Sequence, residues 1–270
     1  MRSILLHVHD DDCLEARLQA AMGLARRFDG HIECVQPIPI DFAAPGDVYG
    51  ALAAEMIPVL RENAQELQRR IETRLEGEGV AWDWIAELVP AGDLILTHAA
   101  LSDLVVLGAC EPRGGRGASS LAGQVAIHAQ TPVLVVPSTA QEIDRTAPVL
   151  VAWNGSIEAS HALRAAVPLL KEASSVFLVT VEEAREGRGY DLPPTEGGRF
   201  LSRHGIECEL VALPPLDGSA KDALRQAAQA RKAGLVVMGA YGHSRLRELV
   251  LGGVTRGLLA DPPVPLFLCH

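Results

Sequence analysis

Four glycines fall within fifteen residues near the end of the chain: Gly239, Gly242, Gly252 and Gly253. They are the residues whose type and spacing could do chemistry. An apolar run, Leu235-Val-Val-Met238, leads into the first of them and reads as a buried parallel strand. Glycines just past a strand let the backbone approach a ligand closely and adopt positive φ. Gly252 and Gly253 then open a predicted helix over 254–260, whose free N–H groups and positive dipole end suit an anion. Ser244, Arg245, Thr255 and Arg256 add donors nearby, so the stretch reads as a phosphate cradle. The plain alternative is a tight strand-to-helix turn in which the glycines serve packing alone. Two common phosphate motifs are excluded by spacing, since neither G-x-x-x-x-G-K-[ST] nor G-x-G-x-x-G occurs here.

The elements that must position this loop occur twice. Ile4-Leu-Leu-His-Val-His-Asp10 recurs as Val149-Leu-Val-Ala-Trp-Asn-Gly155, an offset of 145. Asp103-Leu-Val-Val-Leu-Gly-Ala109 recurs as Gly234-Leu-Val-Val-Met-Gly-Ala240, and Gln130 to Val136 recurs as Pro263 to Cys269, at offsets of 131 and 133. Three matches in one order indicate an internal duplication with insertions between strands. Within each half, short apolar runs alternate with helical patterns, which implies βαβ units and a parallel sheet. Strands are predicted near 3–8, 31–36, 82–88, 103–108 and 132–136, then near 148–153, 175–181, 206–213, 234–238 and 264–268. Helices are predicted near 13–28, 51–77, 92–100 and 119–129, then near 156–172, 194–204, 217–232 and 253–260. The polar, proline-bounded stretch 137–148 reads as a linker, giving expected domains 1–140 and 146–270.

Composition narrows the partners. The net charge of −10 lies wholly in residues 1–145, which carry 11 Arg, no Lys and 21 acidic residues; the remainder is balanced. An acidic half repels nucleic acid and anionic membranes, so neither is expected as a partner. No apolar run is long enough to span a bilayer, and the acidic turn after the first apolar residues is wrong for a signal peptide. A cytoplasmic location is expected. Five scattered cysteines without C-x-x-C spacing read as buried free thiols in a reducing compartment.

Other chemistry is weaker. His7 and His9 share a face of the first predicted strand, followed by Asp10, Asp11 and Asp12. Imidazoles and carboxylates suit zinc. The blander reading is a strand pair followed by an acidic helix start that complements the dipole. Spacing fixes no further ligand, so no metal is expected. Gly155-Ser156 lacks the G-x-S-x-G elbow and reads as a turn with Ser156 as helix cap. No nucleophile–base–acid set stands out, and no catalytic residue is assigned.

The pattern Gly239-x2-Gly242-x9-Gly252-Gly253-Val254-Thr255 resembles the G-x2-G-x9-G-[S/T] signature of the universal stress protein family. Val151-Ala-Trp-Asn-Gly-Ser156 is similar to the family's strand opening, and both halves look like one such domain. The resemblance implies a tandem member with an α/β, Rossmann-like fold of the adenine nucleotide alpha hydrolase-like type. Each half would be a five-stranded parallel sheet of order 3-2-1-4-5 with helices on both faces, the two paired as an internal pseudo-dimer. It also implies ATP or a related adenine nucleotide as ligand. By position, Ala152, Asn154 and Val181 would surround the adenine, and Met238 and Gly239 would line the ribose. Gly242, Gly252, Gly253, Val254 and Thr255 would hold the phosphates.

Two departures bear on affinity: Gly253 stands at the family's Ser/Thr place, and Asn154 where Asp is common. The first-half copy is degraded. Gly108-Ala-Cys-Glu111 puts an acid where Gly242 sits, and a phosphate there would be repelled. Gly114, Gly115, Gly117, Ser119 and Ser120 are the material for an alternative cradle, but lost or altered binding is the favoured reading. The expected function is therefore a nucleotide-responsive stress module with its ligand in the second half, an unidentified protein partner, and a homodimer left open. The alternatives are a nucleotide-using hydrolase or transferase with slow, Mg²⁺-dependent ATP hydrolysis, or a scaffold that binds no nucleotide.

Overall fold

Strands such as Ile4-Leu5-Leu6 and Leu104-Val105-Val106-Leu107 are apolar at consecutive positions, so both of their faces must be covered. In the computed structural model, which describes residues 1–38, 47–110, 119–140, 144, 146–182, 192–216, 219–240 and 253–270, both faces are covered by helices. The side chains of 47–55 lie outside this description.

The first half runs β1 (Ser3–His7), α1 (Leu14–Phe28), β2 (His31–Pro37), α2 (Asp47–Glu76), β3 (Ala81–Glu87), α3 (Ala91–Ala99), β4 (Leu104–Gly108), α4 (Ser120–His128) and β5 (Val133–Val136). The second half repeats the plan with β6 (Val149–Ala152), α5 (Ile157–Leu170), β7 (Val176–Val181), α6 (Pro194–Arg203), β8 (Glu209–Leu213), α7 (Ala220–Ala230), β9 (Leu235–Gly239), α8 (Gly253–Ala260) and β10 (Leu266–Cys269). The last strand starts two residues later than its apolar run, because Pro263 and Pro265 offer no N–H to a ladder.

The sheet order is β3-β2-β1-β4-β5-β10-β9-β6-β7-β8. Every neighbouring pair is parallel except β5 and β10, which run antiparallel with Leu134 opposite Phe267. The halves therefore do not form two separate sheets. They join edge to edge into one of ten strands, and each covers the edge strand the other would expose. Because that joint is antiparallel, the carboxyl ends of the two sets of strands point to opposite ends of the sheet.

Helices α1 and α5 cover one face, where Leu18, Met22, Leu163 and Leu169 share a core with Ile4, Val151 and Phe267. Helices α3, α4, α7 and α8 cover the other, around Leu5, Val105, Val135, Val236 and Leu268. Arg27 at the end of α1 crosses between halves: its Nη2 donates to Pro168 O at 3.2 Å, and its Nε meets Glu172 Oε1 at 2.8 Å. A cation there satisfies carbonyls left over at the carboxyl end of α5. Among the described residues, no helix is long and apolar enough to cross a membrane.

Candidate functional site

In each half the switch in strand order falls between the first and fourth strands, β1/β4 and β6/β9, and the crevice beyond their carboxyl ends is where such sheets take ligands. The duplication allows the two crevices to be compared position by position.

In the second half, Ala152 closes β6, with Val179 of β7 and Met238 of β9 as its lateral partners. Val181 lies one step further out on β7, and Gly239 ends β9 beside Cys269. Ala152 and Val181 are half-buried, whereas Met238 is buried. The structure thus brings Ala152, Val181, Met238 and Gly239 to one end of adjacent strands. Gly239 is required where it stands. A Cβ there would lie 2.6 Å from Ala159 N and 2.7 Å from Glu158 C, in the backbone of the first turn of α5.

The chain leaves β6 through Trp153, whose N–H donates to Val179 O at 2.8 Å and whose indole donates to Leu192 O at 3.1 Å. Gly155 turns the backbone at φ 78°, and Leu192 N donates to its carbonyl at 3.0 Å. Ser156 caps α5, its hydroxyl accepting from Ala159 N at 3.2 Å. Asn154 Oδ1 accepts from Ser156 N at 3.1 Å, so this turn already engages the oxygen expected to face an adenine.

Gly242 and Gly252 lie outside the described residues, as do Ser244 and Arg245. Gly253 begins α8 itself, exposed, with nothing within 4 Å of where a Cβ would stand. Its backbone N–H is one of those at the amino end of the helix that have no partner within the helix. Val254 is half-buried and Thr255 is 4% exposed. An anion at this helix start would meet the 253 and 254 backbone first, with Thr255 behind.

The corresponding crevice of the first half is filled by its own side chains. Arg17, at the position of Ala162, is fully buried; its Nε donates to His7 O at 2.8 Å, its Nη1 to Asp11 Oδ1 at 2.7 Å, and its Nη2 to His9 O. Asp11, at the position of Ser156, also accepts from Cys13 N at 2.8 Å. Burial opposes its charge, but the His9 and Arg17 contacts outweigh that and hold the carboxyl far below its ordinary range. His7 replaces Ala152; burial and then the nearby Arg17 charge keep its imidazole neutral, well below the usual histidine value. His7 is the last residue of β1 and His9 lies beyond the strand, so the pair does not share a strand face as the pattern suggested.

Cys13 and Cys110 are joined by a disulfide with Cα atoms 5.9 Å apart. The expectation of five free thiols is therefore corrected: Cys34, Cys208 and Cys269 are free, and the compartment argument drawn from free thiols loses its basis for the other two. Sequence reasoning missed the pair because 97 residues separate them, and only the sheet order brings the ends of β1 and β4 together. Gly108, the counterpart of Gly239, is needed here too: a Cβ would stand 2.5 Å from Arg17 Nη1 and 2.7 Å from Cys13 Cβ. Ser119 caps α4, accepting from Ala122 N at 3.2 Å. Glu111, Gly114, Gly115 and Gly117 lie outside the described residues.

Among the described residues, an open depression lined by Arg2, Asp29, Gly30 and His31 sits at the amino ends of β1 and β2, away from both crevices.

Fold and site together define a duplicated, doubly wound α/β protein whose two switch-point crevices have diverged, one plugged by an arginine and the other lined by small and apolar residues. The chain belongs to the universal stress protein family, whose model matches residues 1–137 and again 146–270. It is 29% identical over 136 residues to the universal stress protein Slr1230 of Synechocystis, a match covering 50% of this chain and 45% of that protein. The crystal structure of a universal stress protein from Archaeoglobus fulgidus superposes with a TM-score of 0.76 at 18% identity, covering 99% of this chain and 96% of that one. A putative universal stress protein from Pseudomonas aeruginosa superposes at 0.64 and 17% identity, covering 100% and 93%.

Proposed function

We propose that this chain is a cytoplasmic, nucleotide-responsive stress protein that binds ATP in its second domain, residues 146–270, while its first domain, residues 1–140, binds none. The observation that supports this reading is the contrast at matched positions: a buried Arg17 ties up His7 O, His9 O and Asp11 at the end of β1, whereas the second half has the small, buried Ala162 there. Ala152 and Val181 offer an apolar bed for a base, and Asn154 completes its edge through the amide. Met238 and Gly239 border the ribose. Gly242, Gly252, Gly253, Val254 and Thr255 hold the phosphates, chiefly through backbone N–H groups at the start of α8, where the dipole favours an anion. Mg²⁺ would accompany the phosphates as counter-charge. With Gly253 in place of a hydroxyl residue, one donor is missing and the affinity is modest. Occupancy alters the surface offered to a protein partner. Among the described residues, no side chain near Gly253 is placed as a general base; in this reading the protein acts by binding, with hydrolysis at most slow.

The test is mass analysis of small molecules carried through purification, followed by thermal melting with added ATP, ADP, AMP and GTP. An adenine nucleotide, or a melting shift that saturates with ATP, is expected; at 100 times Kd a single site stabilises by about 2.7 kcal/mol. Protein without nucleotide and without a shift overturns the reading.

A further inference from the structure

The plugged crevice of the first half carries donors that a plug does not need. Cys13 and Cys110 place two sulfurs beside the Asp11 carboxylate, with the three ligand atoms all within 4.8 Å of one another. The two Asp11 oxygens are used unequally. Oδ1 is held by Arg17 Nη1 at 2.7 Å and Cys13 N at 2.8 Å, whereas Oδ2 faces His9 Nδ1 at 3.4 Å. That Nδ1 is shielded from solvent and meets Oδ2 outside good hydrogen-bond geometry. Cys110 N donates to Cys13 Sγ at 3.2 Å, an arrangement that stabilises negative charge on sulfur. Two sulfurs, a carboxylate oxygen and the imidazole nitrogen beside that carboxylate are the donor types zinc takes, with the carboxylate and one sulfur already oriented by outer hydrogen bonds.

We propose that the reduced Cys13–Cys110 pair, with Asp11 and His9, is a binding site for one thiophilic divalent cation such as Zn²⁺, and that the disulfide is its metal-free, oxidised state. This goes beyond the nucleotide reading and does not depend on it. Reduction by a dithiol or phosphine adds two electrons and two protons, converting the disulfide to two thiols. Metal entry then forms two metal–sulfur bonds and releases those two protons to solvent. Two thiolates and one carboxylate against a dication leave one negative charge, which the buried Arg17 guanidinium neutralises. Cys13 is fully buried and Cys110 half-buried, so the metal enters on the Cys110 side. A reducing compartment keeps such pairs as dithiols, which is the state this site requires.

The test is anaerobic titration of the full chain with Co²⁺, reduced by phosphine or left oxidised. It is run in a Cys34→Ala/Cys208→Ser/Cys269→Ala background so that only the pair remains. One Co²⁺ per reduced chain is expected, with thiolate-to-cobalt charge-transfer absorption and the d–d bands of a tetrahedral site, bleached by Zn²⁺. The oxidised chain is expected to give neither, Cys110→Ser to lose the charge-transfer band, and Asp11→Asn to weaken binding at least about tenfold. As a second readout in the unmodified chain, Zn²⁺ should protect Cys110 from alkylation after reduction. No charge-transfer band in the reduced chain, an equal band in the oxidised chain or in Cys110→Ser, or alkylation unaffected by Zn²⁺ overturns the proposal.

Discussion

Arg17→Met removes the plug of the first crevice while keeping most of its volume, and its cost follows from what Arg17 touches. The side chain is fully buried and donates to His7 O, His9 O and Asp11 Oδ1. Methionine leaves two carbonyls and a carboxylate without their donor, and Asp11 keeps only Cys13 N as a hydrogen-bond donor and the His9 contact. Breaking a buried ion pair by deleting one partner costs about 3–5 kcal/mol, more than deleting both. With a urea slope of about 3 kcal/mol/M, the unfolding midpoint should fall by roughly 1–1.7 M. Arg17→Met/Asp11→Asn should recover part of that loss, because the stranded carboxylate is gone, with a coupling of about 0.5–3 kcal/mol. Arg17→Lys should fall between, since an ammonium cannot span three acceptors with the guanidinium's geometry. The assay is urea unfolding at neutral pH with the disulfide intact, followed by circular dichroism. A loss below about 1 kcal/mol for Arg17→Met, or strict additivity in the double variant, would refute the reasoning.

Gly253→Ser should tighten ATP binding about tenfold, since the Cβ meets open space and the hydroxyl adds one bond to a charged phosphate, worth about 1.5 kcal/mol; unchanged affinity by calorimetry would count against phosphate at this helix start. Gly239→Ala should destabilise by about 1–3 kcal/mol through collision with the backbone of α5, measured by urea unfolding, and a neutral result would sink the close-approach argument. Asp103 accepts from Arg2 N at 2.6 Å and Ser3 N at 3.1 Å, and the Ser3 bond chiefly holds its carboxyl below the ordinary value. Its stabilisation is present above the unfolded carboxylate range and is lost as pH falls through the depressed folded value. Asp103→Asn should therefore lose less stability than wild type between neutral pH and pH 3; parallel curves would contradict that.

What the sequence made legible, and what it did not, follows from which interactions are local. The repeat, the parallel strands and the glycine pattern are written in short stretches, because buried strands must be apolar at consecutive positions and Gly239 sits where a Cβ collides with α5. Ser156 as a cap was likewise local. The joint between β5 and β10 was not, since two apolar edge strands fit a single sheet as well as a docked pair of sheets. The Arg17 network left one overlooked signal: an arginine on the stripe of α1 that otherwise carries Leu14, Leu18, Ala21 and Ala25, all buried. The disulfide left none, because no spacing rule connects residues so far apart. The family resemblance places Asn154 against an adenine, while the Asn154-Gly155-Ser156 stretch also reads as a turn into a cap, and the bond from Ser156 N to Asn154 Oδ1 belongs to that turn.

The most direct test of the central claim is the stoichiometry of ATP binding in wild type and Gly253→Asp, measured by isothermal titration calorimetry. Aspartate at an exposed first helical position suits the dipole and should leave the fold intact, while placing a negative charge where the phosphates would lie. The account predicts one ATP per wild-type chain and a loss of affinity of at least tenfold in Gly253→Asp, with unchanged urea stability. Two ATP molecules per chain, none, or equal affinity in the variant would contradict it.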